Sequence, residues 1–170
     1  MIYINIGSNL NSSEGDRFYN LKKSVELLNA LDLKISKISK IYETPSYPEK
    51  KNPKFLNICL GIESQKKPVS LIKTFQNIEK KLQRNRGLKN QPRTCDIDII
   101  DYYGEIINSK EITLPHPRSH LRNFVLYPLK EISPEWVHPV LRKKIEFLIN
   151  KLNLKLRNEI TRLNESVIID

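Results

Sequence analysis

The order in which hydropathy periods follow one another limits what this chain can fold into more than any other feature. Ile2, Ile4 and Ile6 alternate with Tyr3 and Asn5, a period of two that marks a strand and stops at Gly7-Ser8-Asn9. Phe18, Leu21, Val25, Leu28 and Leu31 then recur at helical spacing. Ser12 and Ser13 stand before them as caps, and Glu14 and Asp16 suit the positive end of the helix. Residues 33–42 read as a second strand, bulged near Ile38 where the alternation slips. Pro45, Pro48 and Pro53 make 44–53 a loop, because proline cannot donate to a ladder. A third strand spans 55–63, and Pro68 opens a helix whose buried stripe is Leu71, Ile72, Phe75, Ile78 and Leu82. Residues 95–102 form the fourth strand. A turn at Tyr103-Gly104, a hairpin from 105–107 and 112–114, and helices over 123–131 and 141–152 complete the reading. The succession β-α-β-β-α-β predicts a split βαβ, or ferredoxin-like, α+β arrangement: an antiparallel sheet with helices packed on it, plus a C-terminal hairpin and helices. All 170 residues are expected to form one domain. The amphipathic tail 151–170 (Leu152, Leu154, Leu156, Ile160, Leu163) either covers the sheet or pairs with a second copy.

Composition removes several function classes. The five glycines, at 7, 15, 61, 87 and 104, form neither a Walker loop nor G-x-G-x-x-G, so any nucleotide must be held by side chains. No apolar run reaches the roughly 18 residues that cross a bilayer, and the first residues lack a basic leader, so a cytoplasmic location without membrane contact is expected. Cys59 and Cys95 lie in apolar surroundings and read as reduced core thiols. The net charge is +10. A Lys-rich surface explains that excess as readily as an anionic partner does, but from Lys66 to Arg93 there are nine bases and one acid, Glu79, a local concentration that favours the partner.

The stretch Pro92-Arg93-Thr94-Cys95-Asp96-Ile97-Asp98-Ile99-Ile100 carries the strongest chemistry. Side chains alternate along a strand, so Asp96 and Asp98 share one face while Cys95, Ile97 and Ile99 take the other. Two carboxylates spaced this way suit one or two Mg²⁺ ions that keep sites open for water and phosphate oxygens. The alternative is a pair of acids on a solvated face, but strands avoid Asp and like charges repel, and a metal would make the pair tolerable. Arg84, Arg86, Lys89 and Arg93 precede the pair, and His116, Arg118, His120 and Arg122 follow it. Singly, each is an ordinary surface residue; together with the acids they describe phosphoryl transfer without a P-loop. Three histidines with no ligand-spaced partners argue against zinc. Phe55 and Phe124, with polar company in Thr44, Asn57 and Asn123, could sandwich and read a flat heterocycle, although core packing is the default for phenylalanine.

Taken in order, these segments resemble the 6-hydroxymethyl-7,8-dihydropterin pyrophosphokinases. The likeness includes Ile6-Gly7-Ser8-Asn9-Leu10, Tyr42-Glu43-Thr44-Pro45, Phe55-Leu56-Asn57, the 92–100 stretch, Leu114-Pro115-His116 and Arg122-Asn123-Phe124-Val125-Leu126-Tyr127-Pro128-Leu129. It runs from Ile2 to about Pro139. The resemblance implies transfer of pyrophosphate from ATP to the pterin's hydroxymethyl oxygen, with release of AMP. It implies that Asp96 and Asp98 bind two Mg²⁺ ions and that Arg84 and Arg93 act with them in catalysis. ATP would meet Gln76, Glu79, Arg84, Arg93, Ile99, Thr113, His116 and Arg122; the pterin would meet Thr44, Pro45, Tyr47, Phe55, Asn57 and Phe124. The chain departs from the family where Asn90-Gln91 replaces Trp-Gly and where Phe55 replaces a common tyrosine. The segments 40–54 and 83–91 are the expected lids.

Two other readings use the same sheet. An RNA-binding module would bear basic loops and exposed aromatics, but no strand carries the [KR]-G-[FY]-[GA]-F pattern. A palm-type nucleotidyl transferase would share the topology and paired acids and release pyrophosphate. The expected partners are therefore ATP and a pterin, with no nucleic acid and no membrane, for a monomer whose dimerisation is left open.

Overall fold

A computed structural model describes residues 1–31, 33–85 and 91–167. Strand β1 (Ile2–Ser8) runs antiparallel between β4 (Phe55–Glu63) and β5 (Asp96–Tyr102). Strands β2 (Lys34–Ile38) and β3 (Tyr42–Thr44) both pair with β4 along its other edge. Helices α1 (Arg17–Asn29) and α2 (Pro68–Lys81) link the strands in the expected β-α-β-β-α-β order. The hairpin is present as β6 (Ile107–Asn108) and β7 (Thr113–Leu114). A single 3₁₀ turn at Ser119–Leu121 leads into α3 (Asn123–Ile132). Helices α4 (Ile145–Lys151) and α5 (Leu154–Asn158) and strand β8 (Thr161–Arg162) follow.

Alternation divides the sheet into two apolar faces. Ile2, Ile4 and Ile6 of β1 and Leu56, Ile58, Leu60 and Ile62 of β4 pack with Leu21, Val25 and Leu28 of α1 and Leu71, Phe75 and Ile78 of α2. On the opposite face Cys59 and Ile100 pack with Val125, Leu126 and Leu129 of α3, Trp136, and Ile145 and Leu148 of α4. These helices cover only part of that face, and beyond them lie the half-buried Asp96 and Asp98 of β5. Both cysteines are buried and unbonded, one in each core.

Three local expectations differ from what forms, and one open alternative is settled. Residues 33–42 make two short strands because the chain leaves the ladder at Ser39: its N–H donates to Cys59 O at 3.0 Å, and its hydroxyl accepts from Cys59 N–H at 2.9 Å. Helix α1 is capped by Asp16, whose carboxylate accepts from Tyr19 N–H at 2.8 Å, while Ser12 closes a turn on Gly15. The last long helix begins at Ile145, not 141, because Val137 bridges to Lys144 and holds 138–143 as a turn with Arg142 at φ 54°. The tail covers the sheet edge: β8 pairs with β3, and Leu163 and Val167 join the first core.

Candidate active site

A register shift in β5 shapes the uncovered face. Ile4 pairs with Ile99 but Tyr3 pairs with Asp101, so Ile100 is an extra residue. Asp96 and Asp98 therefore share a face with Ile100, as alternation requires, and Asp101 returns to that face instead of turning away. There Trp136 Nε1 donates to Asp101 Oδ2 at 2.7 Å, and Gly104 N–H donates to its Oδ1 at 2.7 Å.

The acid pair is bound by the protein's own cations. Arg84 donates to Asp96 Oδ1 at 2.6 Å and also to Glu79 Oε1. Glu79 is 2% exposed and accepts from Ile97 N–H at 2.9 Å, so it stands behind Arg84 and fixes it to β5. Arg93 Nη1 lies 3.1 Å from Asp96 Oδ2, and Arg122 Nη1 lies 3.5 Å from Asp98 Oδ2. His116 Nε2 is 3.9 Å from the same Asp98 oxygen, while its Nδ1 accepts from Arg118 N–H at 3.1 Å. Burial, with Arg122 and Arg118 nearby, pushes His116 down to about 4, so the imidazole is neutral near pH 7. Burial and the neighbouring Asp96 push the Asp98 carboxyl up to about 6, against the pull of Arg122.

A cleft of about 250 Å³ opens over the pair. Glu79, Arg84, Asp96, Asp98, Ile99, Thr113, His116 and the exposed Gln76 all line it. Ile72 and Ile112 line it too; the sequence pattern places Ile72 in the buried stripe of the helix and Ile112 in the hairpin, although Ile72 lies one turn before Gln76 on the same helix face, a signal that was available.

The aromatic half adjoins this cleft. Thr44 pairs with Phe55 and Tyr42 with Asn57 across β3 and β4, and Asn57 Nδ2 donates to Thr44 Oγ1 at 3.3 Å. The Arg93 guanidinium lies 5.4 Å from the Phe55 ring centre, and that of Arg122 lies 5.4 Å from the Phe124 ring centre. Each acid is thus joined through one arginine to one aromatic ring. Gly7, between Asn57 and Asp96 in register, is a site residue that the residue-type argument missed. A Cβ there would meet Asn57 Oδ1 at 3.0 Å and Phe55 Cδ1 at 3.5 Å. Pro45 is half-buried beside Thr44. Tyr47 is 47% exposed, and its hydroxyl lies 3.5 Å from Glu159, which directs its side chain toward α5. Asn123 has a different task from reading a ring: its Nδ2 donates to Leu156 O at 2.7 Å and ties down the tail. Arg86 and Lys89, in the expected lid 83–91, lie outside the described residues.

A ferredoxin-like sheet with an acid pair on one face, three arginines on those acids and two aromatic rings beyond them has the charges and rings that suit a polyphosphate next to a flat heterocycle. Sequence comparison gives the family. The pattern of the 7,8-dihydro-6-hydroxymethylpterin-pyrophosphokinase (HPPK) family matches residues 3–134, and the chain belongs to that family. It is 36% identical over 145 residues to the 2-amino-4-hydroxy-6-hydroxymethyldihydropteridine pyrophosphokinase of Aquifex aeolicus, covering 85% of this chain and 88% of that one. It is also 36% identical to a folic acid synthesis protein of Pneumocystis carinii, across 89% of this chain but only 20% of that longer protein. In structure it is similar to Plasmodium falciparum HPPK-DHPS crystallised with STZ-DHP, with a TM-score of 0.73 and 16% identity, over 95% of this chain and 46% of that one. Family membership selects the pyrophosphokinase reading over the RNA-binding module and the palm-type transferase. No helix among the described residues is long and apolar enough to cross a membrane.

Proposed function

We propose that this chain transfers the pyrophosphoryl group of ATP to the hydroxymethyl oxygen of 6-hydroxymethyl-7,8-dihydropterin. The oxygen attacks the β-phosphorus, the bond from that phosphorus to the α–β bridging oxygen breaks, AMP leaves, and the hydroxyl proton is released. The observation that carries this reading is the continuity Asp96–Arg93–Phe55 and Asp98–Arg122–Phe124, which sets a phosphate-binding face directly against a ring-binding face.

The donor set fits divalent magnesium. Asp96 and Asp98 offer hard oxygens on one face, and the raised Asp98 carboxyl marks a charge that a cation would stabilise. Among the described residues no group of three or more acids, histidines or cysteines could hold a metal alone, so phosphate and water would complete the coordination. Bound there, Mg²⁺ (two ions in this proposal) neutralises triphosphate charge and fixes its conformation.

The remaining work falls to side chains. Arg84, Arg93 and Arg122 supply guanidinium donors to phosphate oxygens, and Arg93 Nε is a buried donor with no partner among the described residues. Neutral His116 offers an N–H without adding charge. Gln76, Ile99 and Thr113 line the nucleotide end of the cleft. Phe55 and Phe124 stack on the pterin, Asn57 reads its edge, and the 44–47 segment lies beside it. No strong base is needed, because repulsion and alignment, not proton removal, limit attack on a triphosphate. Supplying MgATP with and without hydroxymethyl-dihydropterin and measuring AMP tests the proposal. Release of AMP that depends on the pterin supports it, and its absence refutes it.

A further inference from the structure

One buried side chain outside the groups above touches both halves of the cleft. Asn9 follows β1, is 1% exposed, and uses its whole amide. Its Oδ1 accepts from Arg93 N–H at 2.7 Å, and its Nδ2 donates to Ser46 Oγ at 3.0 Å and to Pro53 O at 3.2 Å. The backbone N–H groups of Asn9 and Leu10 both donate to Arg93 O, at 3.0 and 3.1 Å. Ser46 Oγ donates to the same Pro53 carbonyl at 2.5 Å. Both peptide groups flanking the Arg93 side chain are therefore held by one turn of chain, and the two ends of the 45–54 loop are held by the same amide.

A buried asparagine that satisfies nearby loop carbonyls is common and usually structural. The partners here make it more than that. Arg93 carries the guanidinium that lies on Asp96 and over Phe55. Ser46 lies two residues after Thr44, which orients Asn57. Asn9 hydrogen-bonds Arg93 through its backbone, away from the guanidinium, so its effect on transfer passes through those neighbours.

We propose that Asn9 is a positioning residue that couples the pterin-side loop to the phosphate-side arginine, so that seating the pterin sets the Arg93 guanidinium for transfer. The proposal rests on the pyrophosphokinase reading of the cleft. Its two arms are separable in chemistry. Asn9→Ala removes both the acceptor for Arg93 N–H and the donor to the loop. Asn9→Asp keeps the acceptor but loses the donor and sets an oxygen against Pro53 O.

The test is a double-mutant cycle on the full chain, read by single-turnover AMP formation at saturating MgATP and pterin, with pterin KM measured in parallel. Asn9→Ala is expected to slow the single turnover by about tenfold or more, the scale of misplacing a positioned group. In an Arg93→Ala background the same change is expected to matter by less than about twofold, since its target is already gone. Asn9→Asp is expected to raise pterin KM with a smaller loss in the saturated rate, and Ser46→Ala to act in the same direction and non-additively with it. Equal losses from Asn9→Ala in both backgrounds would show a merely structural residue and overturn the coupling while leaving the function intact. If Asn9→Ala does not fold, the Asn9→Asp and Ser46→Ala pair decides: additive effects, or equal effects on ATP and pterin KM, overturn it. A wild-type protein that forms no AMP with pterin overturns the underlying reading, and the coupling with it.

Discussion

Replacing Gly7 by alanine separates the proposed ring-binding role of this face from its role in the fold. Gly7 is not among the residues at positive φ, so alanine fits the backbone, and the change in mid-strand recovers roughly 0.5–1 kcal/mol of chain entropy. The new Cβ would stand 3.0 Å from Asn57 Oδ1, inside normal contact, and 3.5 Å from the Phe55 ring. Asn57 cannot retreat freely: it is 2% exposed, and its Nδ2 is tied to Thr44 Oγ1. Mild overpacking costs about 1–3 kcal/mol, so the two stability effects partly offset, leaving a loss of about 0–2.5 kcal/mol and a melting point lower by up to about 10 °C. Binding has no such offset. If Asn57 reads the pterin edge as proposed, displacing it weakens one hydrogen bond worth about 1–1.5 kcal/mol, which corresponds to roughly 5- to 13-fold in affinity. Calorimetric titration with pterin in the presence of a non-hydrolysable ATP analogue measures this, and titration with the analogue alone provides the control. Pterin affinity within about twofold of wild type, or an equal loss of nucleotide affinity, would refute the placement of the ring on this face.

Asp96→Asn and Asp98→Asn should each remove about 3 kcal/mol or more of transition-state stabilisation, the scale of a lost catalytic electrostatic contact; near-normal turnover in either variant counts against the metal role. Trp136→Phe removes the donor to buried Asp101 Oδ2 and should lower the unfolding free energy in urea by about 1–3 kcal/mol, with both KM values unchanged. Burial, with His120 beside it, holds His138 below its ordinary 6.5. The unfolded chain therefore takes up a proton that the folded one refuses, and stability falls as pH drops below about 6.5, by up to about 1.4 kcal/mol per pH unit for each such group. His116, depressed to about 4, acts in the same direction, and Asp98, raised to about 6, acts in the opposite one. The comparison that isolates His138 is His138→Asn, which keeps an acceptor for Val140 N–H and Leu141 N–H and should give a shallower fall in the urea midpoint between pH 7 and pH 5; an unchanged slope would dismiss the assignment.

What could be read in the chain itself was whatever depends on local period. Alternation placed Asp96 and Asp98 on one face, and the 3.6-residue stripe named Leu71, Phe75 and Ile78 as buried. Contacts that bridge distant segments left no such trace. Asn9 reaches 37 residues to Ser46 and 84 to Arg93. Ser39 breaks a strand because its hydroxyl replaces a ladder bond to Cys59, an event that hydropathy does not encode. The tail residues Leu156, Leu163 and Val167 look like any amphipathic end until Asn123 and β3 provide their docking sites. Ile100, the extra residue in β5, looks like one more apolar strand position, yet it turns Asp101 toward Trp136.

The paired acids also obey a different electrostatic logic from the one their sequence suggests. Two like charges at i and i+2 invite the inference that a metal makes them tolerable, but the protein already balances them: Glu79, Asp96 and Asp98 face Arg84, Arg93 and Arg122, three carboxylates against three guanidiniums. A triphosphate entering that balanced cluster brings several further negative charges and competes with the carboxylates for the same arginines. In the proposed complex, divalent cations would answer the nucleotide's charge as well as the repulsion that still raises Asp98. The acids would give those cations a fixed address beside the arginines, so removing either aspartate is expected to slow transfer more than it changes the fold.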